Sequence, residues 1–416
     1  MRGTSHRLAA AGGAALIATS VLAGCGSGDG GITINVYKYP QENFQKIVDN
    51  CNATADGYRI VYNKLPREAD GQREQMVRRL AAEDSDMDVL ALDVTWTAEL
   101  AEAGWIKEFT GQAKSQVEDG TLETPLETAR YEGKLYGAPD NTNVQLLWYR
   151  GDLVPTPPKT WDEMVELGSQ LKAQGKPGLV TATGKQYEGL VVLYNTLVNS
   201  AGGQILDENG TKAVVDDGAV KALEVLKKFA TSDVVDPSFS NAAEDQARLA
   251  MEGGNAAFML NWPYVYAAAQ EKPDFAKNLK WAPYPSIDPG EQAEVTVGGI
   301  NYAVSAFTEH SEESFDAVMC LRSAESQKFA AINDGVPPTI ESVYDDPEMA
   351  EPYPMKEAIL ETLKTASARP RTPAYQNVST VISTILSPPA SIDPRATADR
   401  LRTELQDALD SKGVLP

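Results

Sequence analysis

Acids, amides and indoles stand at the ends of apolar runs in this 416-residue chain, where short polar side chains can reach a small molecule. Glu42 sits in the loop Tyr39-Pro40-Gln41-Glu42-Asn43, which follows the alternating run ITINV at residues 32–36. Asp93, with Trp96 close behind, follows MDVLAL at residues 87–92. A carboxylate in such a place can accept hydroxyl donors, each charge-assisted bond being worth about 1.5–3 kcal/mol. An aromatic ring nearby can cover the flat C–H face of a sugar. Each acid also has a plainer reading: a helix-terminus acid for Glu42, and the cap of a helix starting near Thr97 for Asp93. Asn141 and Asn143 lie just before the apolar run from Val144 to Tyr149, and their amides both donate and accept. These residue types suit recognition of a neutral, hydroxyl-rich molecule.

Other chemistries lack their residues. The chain has two histidines, and His6 belongs to the basic start described below. His310 alone cannot make a multi-histidine metal site, and a Ser-His-Asp triad would rest wholly on it. It stands in Thr308-Glu309-His310-Ser311-Glu312-Glu313, which reads as the cap and first turn of a helix. Gly202-Gly203 and Gly253-Gly254 lack the spacing of a nucleotide loop. No metal and no cofactor are expected. The formal charge of −22 argues against nucleic acid and anionic lipid as partners. The rival from the enzymes is a secreted glycosidase, for which Glu42 and Asp93 could nominally serve as the carboxylate pair.

The elements that must position these groups alternate. Strands are predicted over Ile32–Val36, Tyr58–Leu65 and Met87–Leu92, with helices from Phe44 and over Arg73–Ala82. That order implies a mostly parallel sheet with helices on both faces, and ligands beyond the carboxyl ends of its strands. Val144–Tyr149 reads as a buried strand that leads into the proline-stiffened loop Pro155, Pro157, Pro158. It suits a crossover between two lobes, with the amides at the boundary, where small-molecule sites form. Further helices are predicted over Asp162–Ala173, Gly189–Ser200, 216–230, Gln246–Gly253, Ser314–Ile332 and Thr397–Leu409. Val235–Asp245 reads as a loop and Trp281–Pro285 as an irregular extended stretch. Asn255–Leu260 is a short strand before Asn261-Trp262-Pro263-Tyr264. Val295–Val304 is a strand split by Gly298-Gly299, the mark of a bend or a close backbone approach.

Residues 1–25 read as an address. Arg2, His6 and Arg7 precede an apolar run from Leu8 to Leu22, too short to span a membrane, and Leu22-Ala23-Gly24-Cys25 follows. The last four residues are similar to the lipobox of bacterial lipoproteins, which implies a lipid on Cys25. GSGDGG, residues 26–31, then forms a flexible tether. An extracytoplasmic protein held to the outer face of the cell membrane by lipid alone is expected, plain cleavage being the alternative. Removal of residues 1–24 takes away Arg2 and Arg7 and no acid, leaving a charge of −24. The remaining chain of about 390 residues calls for two domains. Its two cysteines, Cys51 and Cys320, suggest a disulfide in an exported protein, two free thiols being the alternative.

YEGKLYGAP at residues 131–139, the strand ending WYRGD at 148–152 and PPKTWDEM at 157–164 resemble the sugar-binding proteins of bacterial ABC importers, in the maltose-binding group. The resemblance implies an α/β, periplasmic-binding-protein-like fold: two α/β lobes, a hinge of three crossovers and a ligand cleft between them. It divides the chain into a signal peptide at 1–24, a lipidated tether at 25–31, one lobe from 32–142 with 299–340, and a second from 143–298 with 341–416. It implies that Trp262 and Tyr264 form a stacking platform and that the Gly299 backbone touches the ligand. It also implies an arginine that reaches the sugar, with Arg371 favoured over Arg369. Glu42, Asp93, Asn141 and Asn143 would complete the site. The lipoprotein start together with YGAPDNTN, LNWPY, GGINY and ARPRTPAY looks most like the trehalose-binding lipoproteins of actinobacteria. A disaccharide, trehalose favoured, is the implied ligand, although binders of other oligosaccharides and of glycerophosphodiesters share the frame. A monomer that delivers its ligand to ABC permease subunits, without enzymatic activity, is the expectation.

Overall fold

The structure is a computed structural model that describes residues 31–411. The leader, Cys25 and the tether before Gly31 lie outside the described residues. The strands are β1 (Ile32–Lys38), β2 (Tyr58–Lys64), β3 (Val89–Asp93), β4 (Arg130–Tyr131), β5 (Lys134–Leu135) and β6 (Ala138–Asn143), followed by β7 (Leu146–Arg150), β8 (Leu179–Thr181), β9 (Ala256–Asn261), β10 (Leu279–Ala282) and β11 (Gly298–Val304). One sheet has the order β2-β1-β3-β11-β6, another β10-β7-β9-β8, and β4 with β5 makes a small ribbon.

The chain passes between the two large sheets by covalent crossovers. It leaves the first sheet after Asn143 and enters the second at Leu146. It returns between Ala282 and Gly298. It departs again after the helix Ala324–Asp334, because Val343, Met349, Tyr353 and Met355 pack into the second lobe's core. Each lobe keeps its own apolar interior. In the first, Ile34, Val36, Val89, Ala91, Tyr302 and Val304 pack on one face of the sheet, and Tyr37, Leu90, Leu92 and Ala303 on the other. Adjacent residues facing opposite cores is what a strand covered by helices on both sides requires.

Local sequence accounts for much of this. The helix Phe44–Asn52 buries Phe44, Ile47, Val48 and Cys51, spaced for one helical face. Cys51 is disulfide-bonded to Cys320 on the helix Ser311–Leu321, with Cα atoms 5.8 Å apart. Thr160 caps the helix Trp161–Ala173 by accepting the Glu163 N–H at 3.1 Å.

Four expectations are corrected. The first sheet is parallel only where β1 meets β2 and β3; β11 runs antiparallel to both β3 and β6. The polar run APDNTN is itself the edge strand β6, because pairing with β11 satisfies a backbone whose side chains have little β preference. The stretch predicted as one helix over Ser314–Ile332 is two, Ser311–Leu321 and Ala324–Asp334. Ser323 breaks it by capping the second, accepting the Ser326 N–H at 3.2 Å. Trp281, read as irregular, pairs with Trp148 in β10 and β7.

Gly299 has φ of +140°, and a Cβ there would lie 2.4 Å from the Asn141 carbonyl oxygen. Gly299→Ala is therefore expected to cost about 1–3 kcal/mol. The check is a urea titration, with a lower midpoint and an unchanged slope.

Candidate ligand-binding site

The edge of the first sheet gathers polar groups from three neighbouring strands. Asp93 ends β3 and pairs with Ile300 of β11, while Gly299 lies opposite Thr142 and Gly298 opposite Asn143 of β6. The Val94 N–H donates to the Gly299 carbonyl at 3.2 Å, which ties the turn after β3 to the glycines. Asn141 is buried; its Nδ2 donates to Asp140 at 3.0 Å and its Oδ1 accepts from Asn143 at 3.1 Å. Asn143 is half-buried at the mouth of the first crossover.

The wall from the second lobe begins at Trp262, directly after β9. Its ring lies against the glycine pair: a Cβ on Gly298 would sit 3.0 Å from the indole and 3.5 Å from the Asn143 Cβ. Glu244 opens the helix Glu244–Glu252, and its carboxyl lies near the Tyr187 and Trp262 side chains. Desolvation among these rings raises the Glu244 pKa above the usual carboxyl value, although the two donors pull the other way. The Tyr264 hydroxyl donates to Asp245 at 3.2 Å, and burial pushes that hydroxyl's pKa up.

Charge pairs join the lobes beside this wall. Arg369, 4% exposed, reaches Asp93 of the first lobe at 2.9 Å and Glu188 of the second at 2.6 Å. Glu188 opens the helix Glu188–Ser200 and also accepts from the Tyr375 hydroxyl at 2.6 Å and from Ser379. Burial opposes the Arg369 charge, yet Asp93, Tyr375 and Glu188 hold its pKa above the ordinary arginine value. Arg67 pairs with Asp245 at 3.0 Å, and Lys185 pairs with Glu68. Among the described residues no group of three or more His, Cys, Asp or Glu could hold a metal ion.

The structure thus places Asp93, Asn141, Asn143 and Gly299 on one edge, with Trp262 seated against it. Glu42 is not gathered in. Its side chain is exposed, and its neighbours Gln41 and Asn43 bond Asp334 at 2.8 and 2.7 Å instead. Asp93 is engaged by Arg369 and by the Thr95 N–H and hydroxyl, at 3.0 and 2.8 Å. Trp96 is core. Tyr264 gives its hydroxyl to Asp245 rather than leaving it open. Arg369, ranked second from sequence, is the arginine buried at the lobe junction. Arg371 is 60% exposed in its side chain, 3.5 Å from Glu127. It lines a cavity of about 180 Å³ with Arg369, Thr95, Arg130, Tyr131 and Glu208. Sequence reasoning missed Tyr187, Glu188 and Glu244. The only signal for the two acids is their place at helix N-termini, which acids occupy for their own electrostatic reasons.

Residues 5–328 match the family of bacterial extracellular solute-binding proteins, and the chain belongs to that family. A Deinococcus radiodurans protein named "Probable ABC transporter-binding protein" is 29% identical over 356 residues, covering 80% of this chain and 84% of its own. Maltose-bound MalE3 of T. maritima superposes with a TM-score of 0.83 at 26% identity, covering 90% of this chain and 99% of that one. The GacH receptor of Streptomyces glaucescens, solved free and with acarbose, shares the fold with a TM-score of 0.78 at 22% identity, over 91% and 99% of the two chains.

Two predictions separate these roles. Arg369→Met leaves Glu188 and Asp93 without their cation and is expected to cost about 3–5 kcal/mol, whereas Arg371→Ala should stay within about 0.5 kcal/mol. Chemical denaturation measures both. Glu244→Gln removes a carboxyl whose pKa is raised on folding. Ionising that carboxyl therefore opposes the native state as pH rises from the unfolded value towards the folded one. The variant should melt higher than wild type at pH 7, and the gain should vanish below the unfolded carboxyl value of 4.5.

Proposed function

We propose that this family member captures a disaccharide, trehalose in first place, between its lobes and delivers it intact to the permease subunits of an ABC importer. The observation that carries this is Trp262. Its indole lies at the first crossover against Gly298, beside the Asn143 amide and near the Glu244 carboxyl. An aromatic face bordered by an amide and an acid suits a sugar ring, whose C–H face stacks while its hydroxyls donate and accept. The maltose bound to the T. maritima relative supports the sugar class. The choice of trehalose rests on the sequence likeness to the actinobacterial trehalose-binding lipoprotein LpqY.

In this reading residues 32–142 with 299–340 and residues 143–298 with 341–416 are the two closing bodies. A ligand that touches both favours the closed arrangement by its differential affinity, and the permease reads closure. Asp93, Asn141, Asn143, the Gly299 backbone, Trp262, Tyr264 and Glu244 are the contacts proposed, with Arg369 holding Asp93 in place. Glu42 and Arg371 are retained as contacts only if closure carries their exposed side chains inward. The protein works outside the cytoplasm as a monomer, tethered through a lipid on Cys25. A ligand of about 23 heavy atoms at roughly 0.3 kcal/mol per atom would bind with a dissociation constant on the order of 10 μM.

The glycosidase alternative finds little support. Glu42 is exposed and Asp93 is engaged by Arg369, so the pair is not poised across a bond. Incubation with trehalose is expected to release no glucose. In a thermal-shift panel of disaccharides, glucose and glycerophosphocholine, trehalose at a hundredfold excess over its dissociation constant should add about 2.7 kcal/mol. A flat response to trehalose with a response to another sugar would replace the ligand and keep the class. Trp262→Ala should remain folded and lose at least about tenfold in affinity; wild-type affinity in that variant would remove the platform.

A further inference from the structure

We propose that the buried Lys38–Asp140 ion pair fixes the direction of the Asn143 amide, so that the cleft presents a carbonyl oxygen beside Trp262 and requires a hydroxyl donor from the ligand there. The proposal rests on the sugar-binding reading above and names a specificity device within it.

The chain of bonds starts inside the first lobe. Lys38, the last residue of β1, is 1% exposed. Its Nζ bonds the Asp140 carboxylate and lies 2.9 Å from the Tyr302 hydroxyl. The same ammonium sits 4.7 Å from the centre of the Phe44 ring and 4.8 Å from that of Tyr302. A full cation in so apolar a place requires its counter-ion, and Asp140 supplies it.

An ionised carboxylate has no proton to give. Asn141 can therefore face Asp140 only with its NH₂, as found at 3.0 Å. With its nitrogen so placed, the Asn141 oxygen turns to Asn143. That oxygen accepts an Asn143 N–H at 3.1 Å. The Asn143 amide is now fixed in turn: nitrogen inward, oxygen left for the cleft. Asn143 is half-exposed, and its Cβ and the Trp262 ring both flank the Cα of Gly298. Reversing Asn141 would set its oxygen against the Asp140 carboxylate, and reversing Asn143 alone would set its oxygen against that of Asn141. The polarity offered to the ligand is thus decided two hydrogen bonds away, by a charge the ligand does not touch. Lys38 and Asp140 are positioning residues, and Asn143 is the group that meets the sugar.

The test pairs a sugar series with a measurement that needs no sugar. Deoxyfluoro analogues of trehalose replace one hydroxyl at a time with an atom that cannot donate. By calorimetry, one position should lose about tenfold or more in wild type, and Asn143→Ala should remove that selective loss. In the double variant Lys38→Met, Asp140→Leu, which exchanges the ion pair for apolar groups of similar length, the Asn141 amide is free to turn. The selective penalty should there shrink to within about threefold while penalties at other positions persist. A double variant that keeps the wild-type pattern overturns the proposal. Neutron diffraction from ligand-free wild-type crystals gives the second arm. Deuterons of the Asn143 amide on Asn141 support the relay; deuterons turned towards Trp262 overturn it. Because this arm uses no sugar, it also serves if the double variant does not fold. A flat trehalose panel with the expected deuterons would remove the ligand assignment and leave the relay standing.

Discussion

Arg369 carries a charge that each lobe shares in neutralising. Its guanidinium stands between Asp93 of the first lobe and Glu188 of the second, almost without exposure to water. A buried group of this kind adds little net stability compared with a well-packed apolar core, because desolvation offsets the attraction. What it imposes is geometry. Two acids and one cation must meet at one place, so arrangements of the lobes that separate them are disfavoured. The other pairs between lobes, Arg67 with Asp245 and Lys185 with Glu68, are more exposed and correspondingly weak. A frame held by three covalent crossovers, one buried charge cluster and a few weak pairs has the mechanical character of a hinge.

The same cluster explains the electrical character of the cleft. The acids around it are largely neutralised within the protein: Asp93 is matched by Arg369 and Asp140 by Lys38, and Glu244 is desolvated near Tyr187 and Trp262. The whole chain has a formal charge of −22, yet these local charges are largely satisfied before a ligand arrives. What remains is a set of amide, hydroxyl and aromatic groups. Such a surface favours an uncharged guest with many hydroxyls over a cation or an anion, since a charged ligand would need a counter-charge that is already committed.

Folding and recognition make opposing demands at the crossover. Gly298 and Gly299 weaken β11 as a strand, but their missing side chains let Trp262 and the Asn141 carbonyl approach the backbone. Glu244 is desolvated at a cost close to Trp262. Places where local preference and tertiary position disagree are the places where a site is commonly found.

Much of the architecture follows from residue order alone. The alternation in ITINV, the apolar face of Phe44, Ile47, Val48 and Cys51, and the run MDVLAL determine the α/β class through periodicity, which is a property of the local chain. The likeness in YEGKLYGAP and PPKTWDEM extends this to two lobes. Tertiary structure decided the rest. ARPR holds two arginines two residues apart in a proline-stiffened loop, and no period says which turns inward; only the position of Asp93 and Glu188 places Arg369 there. Glu188 and Glu244 look like any acids at a helix start until Arg369, Tyr187 and Trp262 surround them. Glu42 occupies a fitting loop and remains in solvent, because Asp334 draws in Gln41 and Asn43 on either side of it. Apolar pattern is written along the chain, whereas the partner of a polar group comes from a segment far away in sequence, and only the closed sheet and its crossovers bring that segment near.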